Sequence, residues 1–350
     1  MTKVEQGNFF EDFTLGRILE HATPRTVTDG DAALYLSLTA TRFAPNYSDP
    51  FARNLGLPRA PFDDMLAFHV AFGKTVPDIS LNAIANLGYA GGVFGVPLYP
   101  GDTVTSTSEV IGIKENANHE TGVVYVRSRG VNQRGESVVD YCRWVMVRKR
   151  DFSAPAPETV VPKLPDSVTV DQFVLPAGLD ASRYDRKLAG SPWGFDDYTV
   201  GERIDHLGGM TIEEAEHAMA TRLYQNNARV HFDQHVEKSG RFGRRIIYGG
   251  HIISLARAMT FNGLGNAFRI AALNGGKHVG PSFAGDTIYA WSEILAKEPL
   301  PGRTDLGALR IRTVATKNET CEAFPEKRLS TDPFDPGVVL DLDYWVLIPR

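Results

Sequence analysis

A short polar run in the second half of the chain concentrates side chains that could exchange protons. Residues 226–235 read NNARVHFDQH and hold two asparagines, an arginine, two histidines and an aspartate between two helix-like stretches. Histidine has an unperturbed pKa close to neutral pH, which makes it a common proton-transfer group. The run is therefore either a solvated connection or an active-site loop.

The residues that follow could stabilise a developing negative charge. Tyr248, Gly249 and Gly250 stand at the start of an apolar stretch, 249–261, that predicts a helix. The first N–H groups of a helix have no partner within it and favour an anion. Gly249 and Gly250 are thus candidate ligands for an oxyanion, although they could also be only a flexible helix start.

The segments that must position these residues occur twice in the sequence. The offset between matching segments stays at 184–185 residues over three matches and rises to 201 in the fourth, which places an insertion within 319–337. The matching pairs are 10–21 with 195–206, 97–110 with 281–294, 122–133 with 307–318, and 143–149 with 344–350. One offset held over more than a hundred residues indicates tandem duplication of a domain.

Each copy repeats the same order of predicted elements. A short strand precedes an amphipathic helix (29–40 and 211–224), and a polar loop leads to an apolar helix (64–75 and 249–261). Three or four alternating strands finish the copy. This order predicts an α+β architecture in which an antiparallel sheet packs on a helix, and the two copies could pair edge to edge.

The predicted domain organisation has three parts. Residues 1–150 form the first copy and residues 194–350 the second. The segment between them, 151–193, is rich in proline and alanine, which marks it as a connector. Its apolar residues indicate that it lies against the domains.

Composition narrows the class of protein. The chain has 350 residues, 43% of them hydrophobic, and a net charge of −5, which argues against a general nucleic-acid binder. No apolar run is long enough to span a membrane, and the N-terminus lacks the apolar core of a signal peptide. The two cysteines form no metal or redox motif, so we expect a cytoplasmic protein with no metal, nucleic acid or membrane partner.

The second copy resembles the hydratase-2 motif of the MaoC-like (R)-specific enoyl-CoA hydratases and dehydratases. That motif runs Asp-x-Asn-Pro-x-His-x-Asp and is followed by a segment that ends His-Gly. His231 falls on the motif histidine, Asp233 on its trailing acid, and Gly249 on the glycine whose N–H binds the thioester oxygen. Both copies also carry the family's Pro-x-x-x-Gly-Asp pattern, in 97–102 and 281–286.

The sequence departs from the motif at three places. Asn226 stands at the aspartate position, Ala228 and Arg229 replace the Asn-Pro pair, and Tyr248 replaces the histidine beside the glycine. An asparagine amide donates and accepts hydrogen bonds but cannot exchange a proton as a carboxylate does. Proton transfer would therefore fall to His231.

The resemblance implies a tandem double hot-dog fold, each copy an antiparallel sheet wrapped around a long central helix. It also implies a hydro-lyase acting on a CoA thioester. His231 would activate water, with Asn226 holding it, while Gly249, with Gly250 and Tyr248 beside it, would bind the thioester oxygen. Asp233 and Arg229 are possible supporting residues. No cofactor is implied beyond the CoA that the substrate carries, and association into a homodimer is expected.

Within this family, the length of the chain and the segment FFEDFTLGR (9–17) most resemble members that interconvert β-methylmalyl-CoA and mesaconyl-CoA. The free carboxylate of that substrate would need a cation, for which Arg229, Arg244 and Arg245 are candidates. Two alternatives stay open. One is an (R)-specific hydratase for another acyl-CoA, and the other is a non-catalytic acyl-CoA-binding protein.

Positions that agree between the copies favour structural roles. His21 and His206 occupy the same place, so that position requires a histidine for structure. Asp49 and Asp233 also correspond, which favours a turn or helix-cap role for the acid.

Positions that differ between the copies favour a function in one of them. Tyr47 is the counterpart of His231, and Arg42 is the counterpart of Asn226. The first copy therefore lacks both motif groups, and we expect it to be catalytically silent and to shape the acyl pocket.

Overall fold

A computed structural model describes residues 3–326 and 335–350 of the chain. The N-terminal half, residues 3–150, contains helices α1 (Asp29–Thr39), α2 (Ala44–Tyr47), α3 (Asp49–Asn54) and α4 (Asp64–Thr75), and strands β1 (Ile18–Thr26), β2 (Ala83–Phe94), β3 (Thr103–Glu115), β4 (Thr121–Val131) and β5 (Ser137–Arg148). A π-helical turn, Val76–Ser80, continues α4.

The C-terminal half, residues 194–350 with the gap above, repeats this order. Its helices are α5 (Glu214–Leu223), α6 (Arg229–Phe232), α7 (Gln234–Glu237), α8 (Gly249–Met259) and α9 (Phe261–Leu264). Its strands are β6 (Arg203–Asp205), β7 (Met210–Thr211), β8 (Arg269–His278), β9 (Thr287–Pro299), β10 (Leu306–Lys317) and β11 (Val338–Pro349).

The strands of both halves join into one antiparallel sheet. Its order is β1-β3-β4-β5-β2-β8-β11-β10-β9-β6, with β7 also paired to β9. β2 and β8 meet at the centre, where Tyr89 pairs with Gly276 and Val93 with Ala272. The halves thus pair edge to edge as predicted, and each covers the strand edge that the other would expose. The α+β double hot-dog prediction is confirmed.

The two apolar helices lie at the centre of this arrangement. Every residue of α4 is buried, and so is every residue of α8 after Gly249. Asp63 caps α4 by accepting a hydrogen bond from the Met65 N–H. Where the helices meet, His69 Nε2 and Ser254 Oγ are 2.8 Å apart. These two residues occupy corresponding positions in the duplication, so the helices cross about the axis that relates the halves.

The shared histidines have the structural role expected from their agreement. His21 Nε2 lies 2.8 Å from Ser108 Oγ, and His206 Nε2 lies 2.7 Å from Ser292 Oγ. Both imidazoles are buried. Each ties the first strand of its half to the neighbouring strand, because a buried polar group needs a hydrogen-bond partner.

The connector 151–193 runs along the body of the protein, as its apolar residues predicted. Val160 forms a β-bridge with Ile113, and Leu179 and Tyr184 are buried in a cluster with residues of both halves. The predicted insertion, 319–337, lies partly outside the described residues, which omit 327–334.

Candidate active site

The polar run 226–235 folds into ordered turns rather than the irregular loop expected. Residues of the run form α6 and the start of α7, two single-turn helices. Asp233 lies between them and caps α7, because its Oδ1 accepts a hydrogen bond from Val236 N–H at 3.1 Å. The capping role suggested by Asp49 and Asp233 fits this geometry.

His231, on α6, has one ring nitrogen hydrogen-bonded and the other without a partner among the residues that the structure describes. Its Nδ1 lies 2.9 Å from the carbonyl oxygen of Ile246, so a neutral ring carries its proton there and its lone pair on Nε2. Burial lowers the pKa of His231 to about 4, although the Ile246 carbonyl opposes the shift. The imidazole is therefore neutral near pH 7, in the form a general base requires.

Asn226 is fixed relative to His231 through one residue. The Asn226 Oδ1 accepts a hydrogen bond from Ala228 N–H at 3.2 Å, and the Ala228 carbonyl accepts one from His231 N–H at 2.9 Å. Asn226 is buried. Within the described part of the chain its Nδ2 finds no acceptor, which leaves an amide donor for a bound water or hydroxyl.

The N-terminus of α8 presents free N–H groups beside His231. The rings of His231 and Tyr248 are 5.6 Å apart between centroids, and Tyr248 is the residue that precedes α8. The Tyr248 N–H is already used, because it donates to His217 Nε2 at 3.0 Å. The next two N–H groups, of Gly249 and Gly250, face no acceptor among the residues described. They are the donors that an oxyanion would use.

Both glycines are required by close approach of side chains. A Cβ on Gly249 would lie 2.5 Å from His278 Cε1, and a Cβ on Gly250 would lie 2.4 Å from the Tyr248 ring. His278 is on β8 and its Nε2 lies 3.2 Å from the Tyr89 hydroxyl. The N-terminal half thus reaches the candidate site through Tyr89.

Tyr248 has its hydroxyl directed into the protein. The side chain is buried, and its hydroxyl lies 3.4 Å from His69 Nδ1. Burial raises its pKa well above the ordinary value. Tyr248 is therefore a neutral wall residue in this geometry, and its backbone sets the start of α8.

The three arginines singled out by sequence lie at the surface end of the site. Arg229 is exposed, and Arg244 lies 4.0 Å over the Phe283 ring. Arg245 forms an ion pair with Glu214. The geometry does not bring these three guanidinium groups together beside His231.

The corresponding place in the N-terminal half is filled by acids. Asp63 and Asp64 stand where the other half has Tyr248 and Gly249. Asp64 is more than the helix start that the sequence suggested. Its carboxylate binds Arg269 Nη1 at 3.1 Å and the Ile270 N–H at 2.8 Å. A second anion would be repelled there, which fits the expected silence of this copy.

Sequence reasoning missed three groups that surround the site. They are the half-buried His278, the buried His217 and the fully buried Arg143. The counterparts of His217, His278 and Arg143 in the duplication are Ala32, Phe94 and Tyr344. A comparison of the copies along whole helices and strands, not only in the motif, would have marked these positions as different.

Residues 3–326 and 335–350 contain no group of three or more histidine, cysteine, aspartate or glutamate side chains placed to hold a metal ion. In the same ranges, none of the helices has the length and apolar character needed to cross a bilayer.

Comparison with known proteins gives consistent matches along the chain. A family model described as mesaconyl-CoA hydratase matches residues 1–330. A β-methylmalyl-CoA dehydratase of Chloroflexus aurantiacus is 65% identical over 348 residues, with 99% of each chain covered. A mesaconyl-CoA hydratase of Cereibacter sphaeroides is 56% identical over 350 residues, covering 99% of this chain and 100% of the relative.

Solved structures match the whole fold. A crystal structure of a MaoC domain protein from Chloroflexus aurantiacus has a TM-score of 0.97 at 65% identity, covering 100% of this chain and 99% of the other. A Mycobacterium tuberculosis protein described as a double hotdog fold has a TM-score of 0.74 at 22% identity, with 98% and 99% of the chains covered. The second likeness bears on the fold alone.

Proposed function

This chain belongs to the mesaconyl-CoA hydratase family, and from that premise we propose that it is a hydro-lyase that reversibly dehydrates β-methylmalyl-CoA to mesaconyl-CoA. The two relatives named for these substrates are 65% and 56% identical over nearly the full chain. The observation that supports the proposal for the site is that His231, neutral at Nε2, lies near the start of α8, whose first N–H groups have no acceptor among the described residues.

Hydration of mesaconyl-CoA first requires a place for negative charge. Water attacks C3 of the double bond, and the electron pair moves to the thioester oxygen to give an enolate. The Gly249 N–H, with the Gly250 N–H beside it, donates to that oxygen. Such donors stabilise the transition state because they are fixed before charge develops. The positive end of the α8 dipole acts in the same direction.

The reaction also requires a proton acceptor for the attacking water. His231 Nε2 takes this proton as the bond from oxygen to C3 forms, and the Ile246 carbonyl stabilises the resulting imidazolium through Nδ1–H. Asn226 Nδ2 donates to the water and orients it. The enolate then takes a proton at C2, which the imidazolium returns. In dehydration the same steps run backwards, and His231 protonates the departing hydroxyl.

The other parts of the protein have supporting roles in this mechanism. The N-terminal half supplies walls of the pocket and performs no chemistry. Asp233 shapes the turn that carries His231, and we assign the exposed Arg229 to the outer part of the CoA group. We further propose that the protein acts in the cytoplasm as a homo-oligomer and needs no cofactor beyond the CoA of its substrate.

The test follows loss of the enoyl-thioester absorbance of mesaconyl-CoA and, separately, of crotonyl-CoA. The wild-type protein should consume mesaconyl-CoA, and His231→Ala should lose at least about 100-fold in rate, because general base catalysis contributes that much. His235→Ala is the matched control, since His235 is an exposed histidine on the neighbouring turn.

Each outcome separates the alternatives. Turnover of crotonyl-CoA alone would keep a hydratase and discard the dicarboxylic substrate. Binding of both thioesters without turnover would favour an acyl-CoA-binding protein. Activity that survives in His231→Ala as in His235→Ala would remove the assignment of the base.

A further inference from the structure

Arg143 carries a positive charge that nothing in the described part of the chain neutralises. It lies on β5 of the N-terminal half and its exposed fraction is 0%. Its Nη2 donates to Thr75 Oγ1 at 2.7 Å and its guanidinium lies 4.2 Å over the Phe72 ring. In the described part of the chain its Nη1 reaches only Ser80 Oγ, at 3.5 Å, and its Nε has no hydrogen-bond partner. A buried charge without a counter-charge is strongly destabilising, so its presence calls for an explanation.

The crossing of the central helices brings this cation to the candidate active site. Because α4 and α8 run in opposite directions past their contact, the end of α4 lies beside the start of α8. The Phe72 ring, which lies against the Arg143 guanidinium, is 5.8 Å from the Tyr248 ring between centroids. Tyr248 is followed directly by Gly249.

A second set of contacts connects Arg143 with Gly249. Tyr89 pairs with Arg143 across β2 and β5. The Tyr89 hydroxyl lies 3.2 Å from His278 Nε2, and the His278 ring fills the space where a Cβ on Gly249 would stand. The unpaired cation and the oxyanion donors thus border the same region.

The two ends of the α4–α8 pair differ in their buried charges. We call the end that contains Asp63 and Asp64 the silent end, and the end that contains Tyr248 and Gly249 the live end. At the silent end the buried Arg257, on α8, lies near two acids at the start of α4, Asp63 and Asp64. At the live end those acids are replaced by Tyr248 and Gly249. Both ends therefore hold a buried arginine, but only at the silent end does the start of the central helix carry acids.

We propose that Arg143 binds the free carboxylate of the substrate and selects dicarboxylic monothioesters. The proposal rests on the proposed function, since mesaconyl-CoA carries this carboxylate on C3, the carbon that water attacks. The thioester oxygen would lie at Gly249, and the carboxylate, three bonds from the thioester carbon, would lie towards Arg143. A guanidinium and a carboxylate can form two parallel hydrogen bonds, and Arg143 retains an unpaired Nε–H.

The same reasoning explains why none of the surface arginines is needed for this role. Arg244 and Arg245 already have partners, and Arg229 is exposed. An acyl group ending in a methyl would leave Arg143 unpaired, which is a penalty against the wrong substrate.

The experiment compares two thioesters of the same shape in Arg143→Met. Mesaconyl-CoA is the substrate, and tiglyl-CoA, which has a methyl in place of the carboxylate, is the competitor. We expect kcat/KM for mesaconyl-CoA to fall by at least about 30-fold, the usual effect of removing one partner of a buried charge pair. The inhibition constant of tiglyl-CoA should stay the same or decrease. Both constants are taken on one protein sample, with kcat/KM expressed per folded molecule, because partial loss of folded protein lowers the apparent kcat/KM but leaves the inhibition constant unchanged.

Two further variants make the test decisive. Arg127→Met removes an exposed arginine from the adjacent strand β4 and should change neither constant. Arg143→Lys keeps the charge but loses the paired donors, so it should lower kcat/KM for mesaconyl-CoA and leave the inhibition constant of tiglyl-CoA unchanged. If Arg143→Met does not fold, Arg143→Lys takes its place in the comparison.

A parallel loss for both thioesters in the Arg143 variants, or no loss for either, would overturn the role of Arg143. Failure of the wild-type protein to hydrate mesaconyl-CoA would instead remove the proposed function, and with it the substrate on which this role depends.

Discussion

The acid–base behaviour of His231 follows from how its ring is enclosed. Burial disfavours the imidazolium, so its pKa is lowered to about 4. With His231 as the base, we expect kcat/KM to be level from about pH 8 to about pH 5.5 and to fall only below about pH 5. An unperturbed histidine would give a fall near pH 6.5 instead.

The measurement is a pH profile of kcat/KM for mesaconyl-CoA, taken by brief exposure to each pH so that the protein stays folded. His235→Ala should give the same profile as the wild type. A descending limb centred near pH 6.5 would contradict the assignment of His231 as the base.

At the scale of the element, the start of α8 depends on the absence of a side chain at Gly249. In Gly249→Ala the new Cβ would meet the His278 ring at 2.5 Å, and His278 is held by the Tyr89 hydroxyl. We expect the N–H donor to shift and kcat to fall by about 100-fold, the loss typical of one oxyanion donor. Helix propensity alone favours alanine, so the melting temperature should change by only a few degrees.

A matched control exists in the silent half. Gly30 lies in the first turn of α1, and a Cβ there would meet only Thr28 Oγ1 at 3.4 Å. Gly30→Ala should keep full activity. Activity within about threefold of the wild type in Gly249→Ala would show that this N–H does not contribute to catalysis.

The elements themselves were largely predictable because duplication records them twice. The helix expected over 64–75 has those bounds in the structure, since Asp63 is its cap and its apolar run is continuous. The turns α6 and α7 were not predicted. Helices of four residues have no periodicity to detect, and their geometry depends on single contacts such as the Asp233 cap.

The position of Arg143 could not be deduced from one strand. Alternation along β5 predicts that Arg143 points inward, but its neighbours come from α4 and from the approach of α8 across the central crossing. Such contacts between distant segments appear in a sequence only as a difference between copies, here an arginine against Tyr344.

At the scale of the whole molecule, buried histidines make stability depend on pH. Burial lowers the pKa of five of them below the ordinary 6.5, to values from about 4 down to about 2; they are His69, His206, His217, His231 and His278. Between about pH 6.5 and about pH 4 the unfolded chain therefore binds more protons than the folded one. The contribution of these histidines to the free energy of unfolding is fully present above about pH 6.5 and is lost as the pH falls through this window.

We accordingly expect the melting temperature to be level from pH 8 to about pH 7 and to decrease steadily from about pH 6.5 towards pH 4.5. Each buried histidine contributes about 1 kcal/mol of loss for the first pH unit below 6.5. Thermal denaturation at closely spaced pH values checks this. Replacing His278 with glutamine should make the decrease shallower, whereas His235→Ala should leave it unchanged.

The joining of the two halves in one chain has a further consequence. Two identical subunits related by a two-fold axis must present the same residues at both ends of their interface. An arginine at the Arg143 position would then also recur at the corresponding position of the opposite end. Covalent linkage removes that obligation, because each position is encoded twice and can change separately. Arg143 and Tyr344, or Gly249 and Asp64, are pairs that a symmetric homodimer could not contain. The second copy is therefore the condition for an asymmetric pocket that recognises a substrate with two different ends.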